Sequence, residues 1–472
     1  MMSDTNLTDK LLAYVAGNYT ALHMPGHKRN LAAAPYLAHL GGKLDITEIE
    51  GFDNLHQAEG VLLRSMEAAA ALWGSSHSRY LVGGSSAGIL AGIRAACQNG
   101  DAVLVARNSH KSVYHAIELN GLRPTYLVPP LIKDEDFYGA NTARQVDSAL
   151  RDNPDIKLVI ITSPTFEGVI SELAAIAGLC HERNIPLLVD EAHGAHLDLS
   201  PHFTGGAVAA GADIAVQSLH KTLPALTQTA IIHLNSRLIA PQELDRQLNI
   251  FQSSSPSYLL MASADGAVNL IHRQGEKLFA QWSAALDKFR EACADLQNLK
   301  IITPQGAFDN SKIIVSCRRT DQSGAQLAAY LRDNFHIQIE MACASYLVAM
   351  TGLTEPKQSL PKLAAALHQA DKICRLAPCR PQALPPLPEQ ALAICAALNA
   401  PTQSLPLAQA AGQICAEYLW AYPPGIPLIV PGERISAAAL AAFAQMHQAG
   451  VRLYGSSGAK EQNLLVCANS RP

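Results

Sequence analysis

From residue 61 onward, short apolar runs of strand length alternate with stretches whose apolar positions recur at helical spacing. Val61–Leu72 is Ala-rich and reads as a helix, Tyr80-Leu81-Val82 as a strand, and Ile89–Cys97 as an apolar helix. Strands are expected at Ala102–Ala106, Pro124–Val128 and Lys157–Ile161, with a helix over Thr142–Leu150. Further strands are expected at Asn184–Val189, Ile214–Gln217 and Gln228–Leu234, then a long helix with charged faces over Val268–Leu299. Two more strands are expected near Ile313–Val315 and Ile337–Glu340, and the Pro-rich stretch Ala377–Pro388 marks a linker. Strand–helix alternation implies right-handed crossovers and an α/β fold with a large, mainly parallel sheet covered on both faces. The chain divides into an N-terminal segment (1–60), a large domain (61–299), a smaller α/β domain (300–380) and a C-terminal domain (389–472).

Two of the apolar runs end in chemically capable residues. Asn184-Ile185-Pro186-Leu187-Leu188-Val189 stops at Asp190, followed by Glu191-Ala192-His193-Gly194-Ala195-His196, and Ile214–Gln217 leads into Ser218-Leu219-His220-Lys221. Open parallel sheets bind ligands at the carboxyl ends of their strands, so an Asp and a Lys arrive at one edge. An enclosed Lys forms a Schiff base with an aldehyde. A carboxylate facing a pyridinium nitrogen keeps it protonated, so that the ring acts as an electron sink. Either residue alone is ordinary loop chemistry; together they point to pyridoxal 5'-phosphate (PLP). Gly83-Gly84-Ser85-Ser86-Ala87-Gly88 lies at a strand-to-helix turn, where backbone N–H groups and a positive helix end suit a phosphate. His110 follows the Ala102–Ala106 strand, where its ring could stack on a planar cofactor. The acidic stretch Leu44–Leu55 is either a solvated face or the lining of a site for a cationic substrate.

Composition narrows the field. At 472 residues the chain has room for two or three domains, and 49% hydrophobic with 16% charged residues is globular, not disordered. A net charge of −4 gives no basic footprint for nucleic acid. No apolar run reaches bilayer length, and the first 30 residues do not read as a signal peptide. The ten Cys are scattered without a Cys-x-x-Cys pair or a His cluster beside them, so no metal site is expected. Reduced thiols in a cytoplasmic protein are the simplest reading.

With these motifs in hand, the chain resembles the bacterial ornithine/lysine/arginine decarboxylases, a PLP-dependent family of fold type I, the aspartate-aminotransferase fold. The matching pieces are Met24-Pro25-Gly26-His27-Lys28, Asp45-Ile46-Thr47-Glu48, Asn108-Ser109-His110-Lys111-Ser112, Thr162-Ser163-Pro164-Thr165 with Glu167-Gly168, the segments from Asp190 and Ser218, and Tyr422-Pro423-Pro424-Gly425 with Pro431-Gly432-Glu433. They span nearly the whole chain in order, and its length resembles the family's short branch. The resemblance implies that Lys221 is the Schiff-base lysine, Asp190 the partner of the ring nitrogen, and His110 the residue stacked on the ring, with His193 beside the cofactor. Ser85, Ser86, Ser218 and His220 would hold the phosphate. Ser253 or Ser254 would reach the phosphate of a neighbouring subunit, making the protein a homodimer or a higher even oligomer to which residues 1–60 contribute.

The implied reaction removes CO₂ from arginine, lysine or ornithine, ranked in that order, and leaves a polyamine-type amine. His220 or Lys221 would reprotonate Cα, and Glu48, Asp53 and Glu433 are the carboxylate candidates for the substrate's cationic end. Two departures bear on phosphate binding: Gly83-Gly84 where the family often has Asn-Gly, and Ala87 where it often has a hydroxyl. The competing readings are an aromatic-type amino-acid decarboxylase, an aminotransferase, or a catalytically silent regulatory relative. The Pro25–Lys28 and Tyr422–Gly425 motifs argue against the first two, and intact Lys221 and Asp190 against the third.

Overall fold

The inner strands of the large sheet come from short, mostly apolar runs. A computed structural model describes residues 6–17, 38–132, 135–303, 306–378, 387–421, 425–448, 453–455 and 463–468. The Met24–Lys28 motif, Tyr422–Pro424 and residues 379–386 of the Pro-rich linker lie outside them. In chain order the elements begin with α1 (Leu7–Ala16), α2 (Val61–Trp73), β1 (His77–Leu81), α3 (Gly84–Ala96), β2 (Ala102–Ala106), α4 (Lys111–Leu119), β3 (Arg123–Leu127), α5 (Ala143–Asp152) and β4 (Ile156–Thr162). Then come α6 (Leu173–His181), β5 (Leu187–Asp190), β6 (Ile214–Gln217), α7 (Leu219–Thr222), β7 (Ala230–Leu234), α8 (Pro241–Phe251) and α9 (Tyr258–Ala292). The seven strands make a large, mostly parallel sheet, as the alternation implied. Every residue of β2, β5, β6 and β7 is buried, which is why these strands read as continuous apolar runs.

The chain forms two compact units, one from residues 1–97, 173–282 and 352–354, the other from 98–172, 283–351 and 355–472. In the first unit the strand order is β1-β7-β6-β5; β5 and β6 are parallel, and β7 is antiparallel to both β6 and β1. Helix α3 lies against this sheet closely enough that a Cβ at Gly88 would meet Leu81 Cδ1 at 2.5 Å and Val216 Cγ1 at 2.9 Å. Helix α1 is fastened by a buried carboxylate: Leu7 N–H donates to Asp265 Oδ2 at 3.0 Å, and Asp265 Oδ1 accepts from the Ser65 hydroxyl. Leu7 and Leu11 form its buried face.

In the second unit β4, β2 and β3 run parallel in that order. A separate antiparallel sheet has the order Met341–Ala342, Tyr346–Met350, Lys312–Ser316, Lys300–Ile302. Two smaller sheets follow, around a core that includes Cys415, Leu419, Ile429, Ile435 and Phe443.

Two expectations are corrected. No strand forms at Ile337–Glu340: His336 ends the preceding helix in the left-handed region, and the chain pairs only from Met341. The long helix runs Tyr258–Ala292 where Val268–Leu299 was expected: it starts earlier because Tyr258, Met261, Ala264 and Ala267 recur at helical spacing and are buried.

Candidate active site

In the first unit, parallel pairing sets Leu188 opposite Ile214, Val189 opposite Ala215 and Asp190 opposite Val216. Asp190 and the Ser218–Lys221 segment therefore leave adjacent strands in the same direction. Asp190 is 3% exposed, and its Oδ1 accepts from Ala192 N–H at 3.2 Å. Burial pushes its carboxyl above the ordinary carboxylate range, while the charge of Lys221 and the Ala192 bond pull it back. Lys221, in the single turn α7, holds its Nζ 2.9 Å from His193 Nε2. His193, which the resemblance sets beside the cofactor, is thus in contact with the lysine.

His220 donates from Nδ1 to the Thr229 carbonyl at 2.8 Å, which leaves Nε2 as its basic nitrogen. Burial lowers its pKa, with the Thr229 bond opposing and the Lys221 charge adding. Ser218 Oγ is buried and meets no hydrogen-bond partner among the described residues. Helix α3 includes Ser85 and Ser86 in its first turn and begins without a side-chain cap. Gly84, at φ +71°, donates its N–H to Gln228 O at 3.0 Å. The close approach at Gly88 sets this helix beside β6, the strand that leads to Ser218. Gly83 and Ala87 belong to the same turn: a Cβ at 83 would stand 3.0 Å from Ala87 Cβ, so the small residues accommodate each other. Ser253 and Ser254 are exposed; Ser253 Oγ lies 3.3 Å from Ser255 Oγ.

The three acidic candidates separate. Asp53, at φ 71°, accepts from the N–H groups of Asn54, Glu59, Gly60 and Leu62 at 2.7–3.0 Å. Burial raises its carboxyl pKa, but the four bonds outweigh burial and hold it below the usual range. Such a carboxylate serves its own loop. Glu433, in the second unit, is fully buried and pairs with Arg107 Nη2 at 3.2 Å, with Val430 N–H donating to it at 2.8 Å. Its carboxylate is therefore engaged by Arg107 and Val430 in this structure. Glu48 differs: its Oε1 is buried and has no hydrogen-bond partner among the described residues.

Arg107 itself was missed as a functional candidate. It also donates to Pro427 O at 2.6 Å and Leu428 O at 3.2 Å, and its guanidinium lies 5.5 and 5.4 Å from the Tyr114 and Tyr126 ring centres. A charged residue directly after an all-buried strand was the available signal. His110, in the same unit, caps α4: its Nδ1 accepts from Ser112 N–H at 3.3 Å. Thr162 Oγ1 donates to Ser109 Oγ at 3.2 Å.

Glu191 and Gln217 were also missed. Glu191 is fully buried, with Oε1 accepting from Ala207 N–H and Oε2 from Gln217 Nε2, both at 2.8 Å. Burial pushes its carboxyl up to about 8 against those two bonds. No group of His, Cys, Asp and Glu among the described residues could hold a metal ion, and none of the described helices is long and apolar enough to cross a membrane.

Over 488 residues the chain is 30% identical to an arginine decarboxylase of Bacillus anthracis, covering 99% of this chain and 98% of that one. An arginine decarboxylase of Bacillus subtilis is 29% identical over 448 residues, covering 92% and 91%. The crystal structure of the Francisella novicida lysine decarboxylase LdcF superposes with a TM-score of 0.81 at 19% identity, covering 98% of this chain and 80% of that one. The α/β fold is therefore the fold-type-I fold that the motifs implied. The family model for the Orn/Lys/Arg decarboxylase major domain matches residues 5–316, and that for the C-terminal domain matches residues 382–454. The chain belongs to the Orn/Lys/Arg decarboxylase family.

Proposed function

We propose that the protein is a PLP-dependent decarboxylase of a basic amino acid, with arginine as the preferred substrate, working as a homodimer or higher even oligomer in the cytoplasm. The chain is a carboxy-lyase by family; cofactor, substrate and assembly are our reading. The observation that carries it is the pair formed by Asp190 and Lys221 at adjacent parallel strand ends.

The residues present fit PLP. Lys221 Nζ would hold its aldehyde carbon, and Asp190 its ring nitrogen. Ser218 Oγ, buried without a partner among the described residues, and the uncapped first turn of α3 with Ser85 and Ser86 offer donors to a phosphate. His220, His110 and His193 keep the roles the resemblance gives them, and Ser253 or Ser254 would serve a neighbouring subunit. When bound, PLP supplies an electron sink for the carbanion left by loss of CO₂. Asp190 holds a proton at the ring nitrogen, because a buried carboxylate is stabilised by a positive N–H facing it. His193 Nε2, 2.9 Å from Lys221 Nζ, can take a proton from that amine and return it. Lys221 is thus the better-supplied acid for Cα, since burial keeps the alternative, His220, neutral.

For the substrate's cationic end, Glu48 is the remaining candidate carboxylate, Asp53 and Glu433 being engaged elsewhere. Arginine ranks first because the Bacillus anthracis and Bacillus subtilis relatives, which match along nearly the whole chain, carry that name. The test is CO₂ release from arginine, lysine and ornithine at equal concentration. Arginine should be fastest, and Glu48→Gln should raise its KM. Turnover of an uncharged aromatic amino acid with none of the three would refute the assignment.

A further inference from the structure

The strand ends that carry Asp190 and Lys221 are joined by a side-chain bridge, one member beside Asp190 and the other at the end of the strand that leads to Lys221. Glu191 follows Asp190, Gln217 precedes Ser218, and Gln217 Nε2 donates to Glu191 Oε2 at 2.8 Å. Glu191 N–H donates to Val216 O at 2.9 Å, so backbone and side chain make the same link. Glu191 Oε1 takes the Ala207 N–H at 2.8 Å, which brings in a third segment. Beyond Gln217 the run continues: its Oε1 lies 3.2 Å from His233 Nε2 on β7, and His233 Nδ1 lies 2.7 Å from Ser78 Oγ on β1. Glu191, Gln217, His233 and Ser78 are all at most 2% exposed. Polar groups this deep are costly unless bonded to one another, and the proposed reaction uses none of them.

We infer that Glu191 is a positioning residue, its carboxyl fixing the spacing of Asp190 and Lys221 through Gln217 and Ala207. The inference rests on the proposed function, which says what has to be positioned. Reacting groups must be held within about 0.5 Å, and a misplacement of about 1 Å costs roughly 100-fold in rate. Truncation at 191 strips the Gln217 amide and the Ala207 N–H of their acceptor but spares the backbone link to Val216. The protein then folds with a looser pair. Glutamine at 191 can restore the bridge. Its carbonyl takes the Ala207 N–H, and its amide donates to Gln217 once that side chain turns over. Gln217 then donates to His233 Nε2, and the His233 proton moves to Nδ1, where Ser78 accepts it.

The test compares wild-type protein with Glu191→Ala, Glu191→Gln, Gln217→Ala, the Glu191→Ala/Gln217→Ala double variant and Leu62→Ala. The last opens a cavity at a fully buried position on α2 in the same unit and serves as a stability control. Readouts are the dissociation constant for PLP, the pH titration of the visible absorbance band of the bound cofactor, melting temperature, and kcat and KM for arginine. Glu191→Ala should raise the PLP dissociation constant and lower kcat, each by about tenfold or more, move the midpoint of the band titration, and change KM by less than about threefold. Glu191→Gln should recover to within about threefold of wild type, and the double variant should be no worse than Glu191→Ala, because both changes break one bridge. Wild-type PLP affinity and kcat in Glu191→Ala would overturn the inference. So would equal losses in Leu62→Ala at a matched fall in melting temperature. Failure of the underlying assignment has a different signature: the wild type itself would bind no PLP and show no band.

Discussion

Replacing Glu433 tests whether this carboxylate is spent on Arg107 or kept for a substrate. Arg107 and Glu433 are both buried, 3.2 Å apart, with Val430 N–H as the second donor to the carboxylate. Removing one member of a buried pair costs about 3–5 kcal/mol, because a charge is left without its partner. Glu433→Gln lies at the lower end or below it. Arg107 keeps the Pro427 and Leu428 carbonyls and two aromatic faces, and glutamine still accepts one of the two N–H groups. We expect a loss of about 2–4 kcal/mol, with the second unit unfolding at lower urea. Arg107→Met with Glu433→Leu removes both charges and should recover most of that loss, giving a coupling energy of about 2 kcal/mol or more. The assay is a double-mutant cycle in urea, read by fluorescence, with arginine kinetics measured alongside. A loss below about 0.5 kcal/mol, together with a tenfold rise in KM at unchanged urea midpoint, would refute the reasoning. It would return Glu433 to the substrate.

Lys221→Ala should abolish both turnover and the visible cofactor band; steady-state CO₂ release from it would sink the lysine assignment. Gly88→Val should destabilise the first unit by about 1–3 kcal/mol and weaken PLP binding, because a side chain there drives α3 off Leu81 and Val216; unchanged melting would mean that the helix can yield. Glu191 should make stability depend on pH. Burial, opposed by the Gln217 and Ala207 bonds and joined by the charges of Asp198 and Asp190, lifts its carboxyl from 4.5 to about 8. The folded protein then binds the extra proton between those values, so this contribution is full below about 4.5 and is lost as pH rises through about 8. Glu191→Gln should accordingly melt progressively higher relative to wild type from pH 6 to pH 9, and a constant difference would show that Glu191 stays charged throughout.

The parallel core was legible because strands such as Ile214–Gln217 are buried on both faces and admit almost nothing polar until they end. That made Asp190 and Lys221 visible as departures from an apolar rule. Glu433 and Asp53 were not legible in the same way. The partner of Glu433 lies 326 residues away at Arg107, and no local pattern announces it. The partners of Asp53 are local backbone groups, but they converge on it only because its own φ is 71°. At Ile337–Glu340 the alternation was real and burial of Ile339 agrees with it, yet the chain is still leaving the turn at His336. Glu191 escaped notice for a different reason. Beside a residue with so clear a chemical role, its carboxyl looked like part of the same motif, whereas its side chain serves the interior.

The fastening of α1 to Asp265 bears on how the chain is made. The two partners are 258 residues apart in the order of synthesis. At 5–20 residues per second, α1 leaves the ribosome on the order of 10–50 s before the carboxylate that receives it exists. Through that interval the Leu7 N–H lacks its Asp265 acceptor, and a ten-residue helix is too short to persist in water unaided. The bond that fastens α1 is therefore a late event in biogenesis, closing only after residue 265 has emerged.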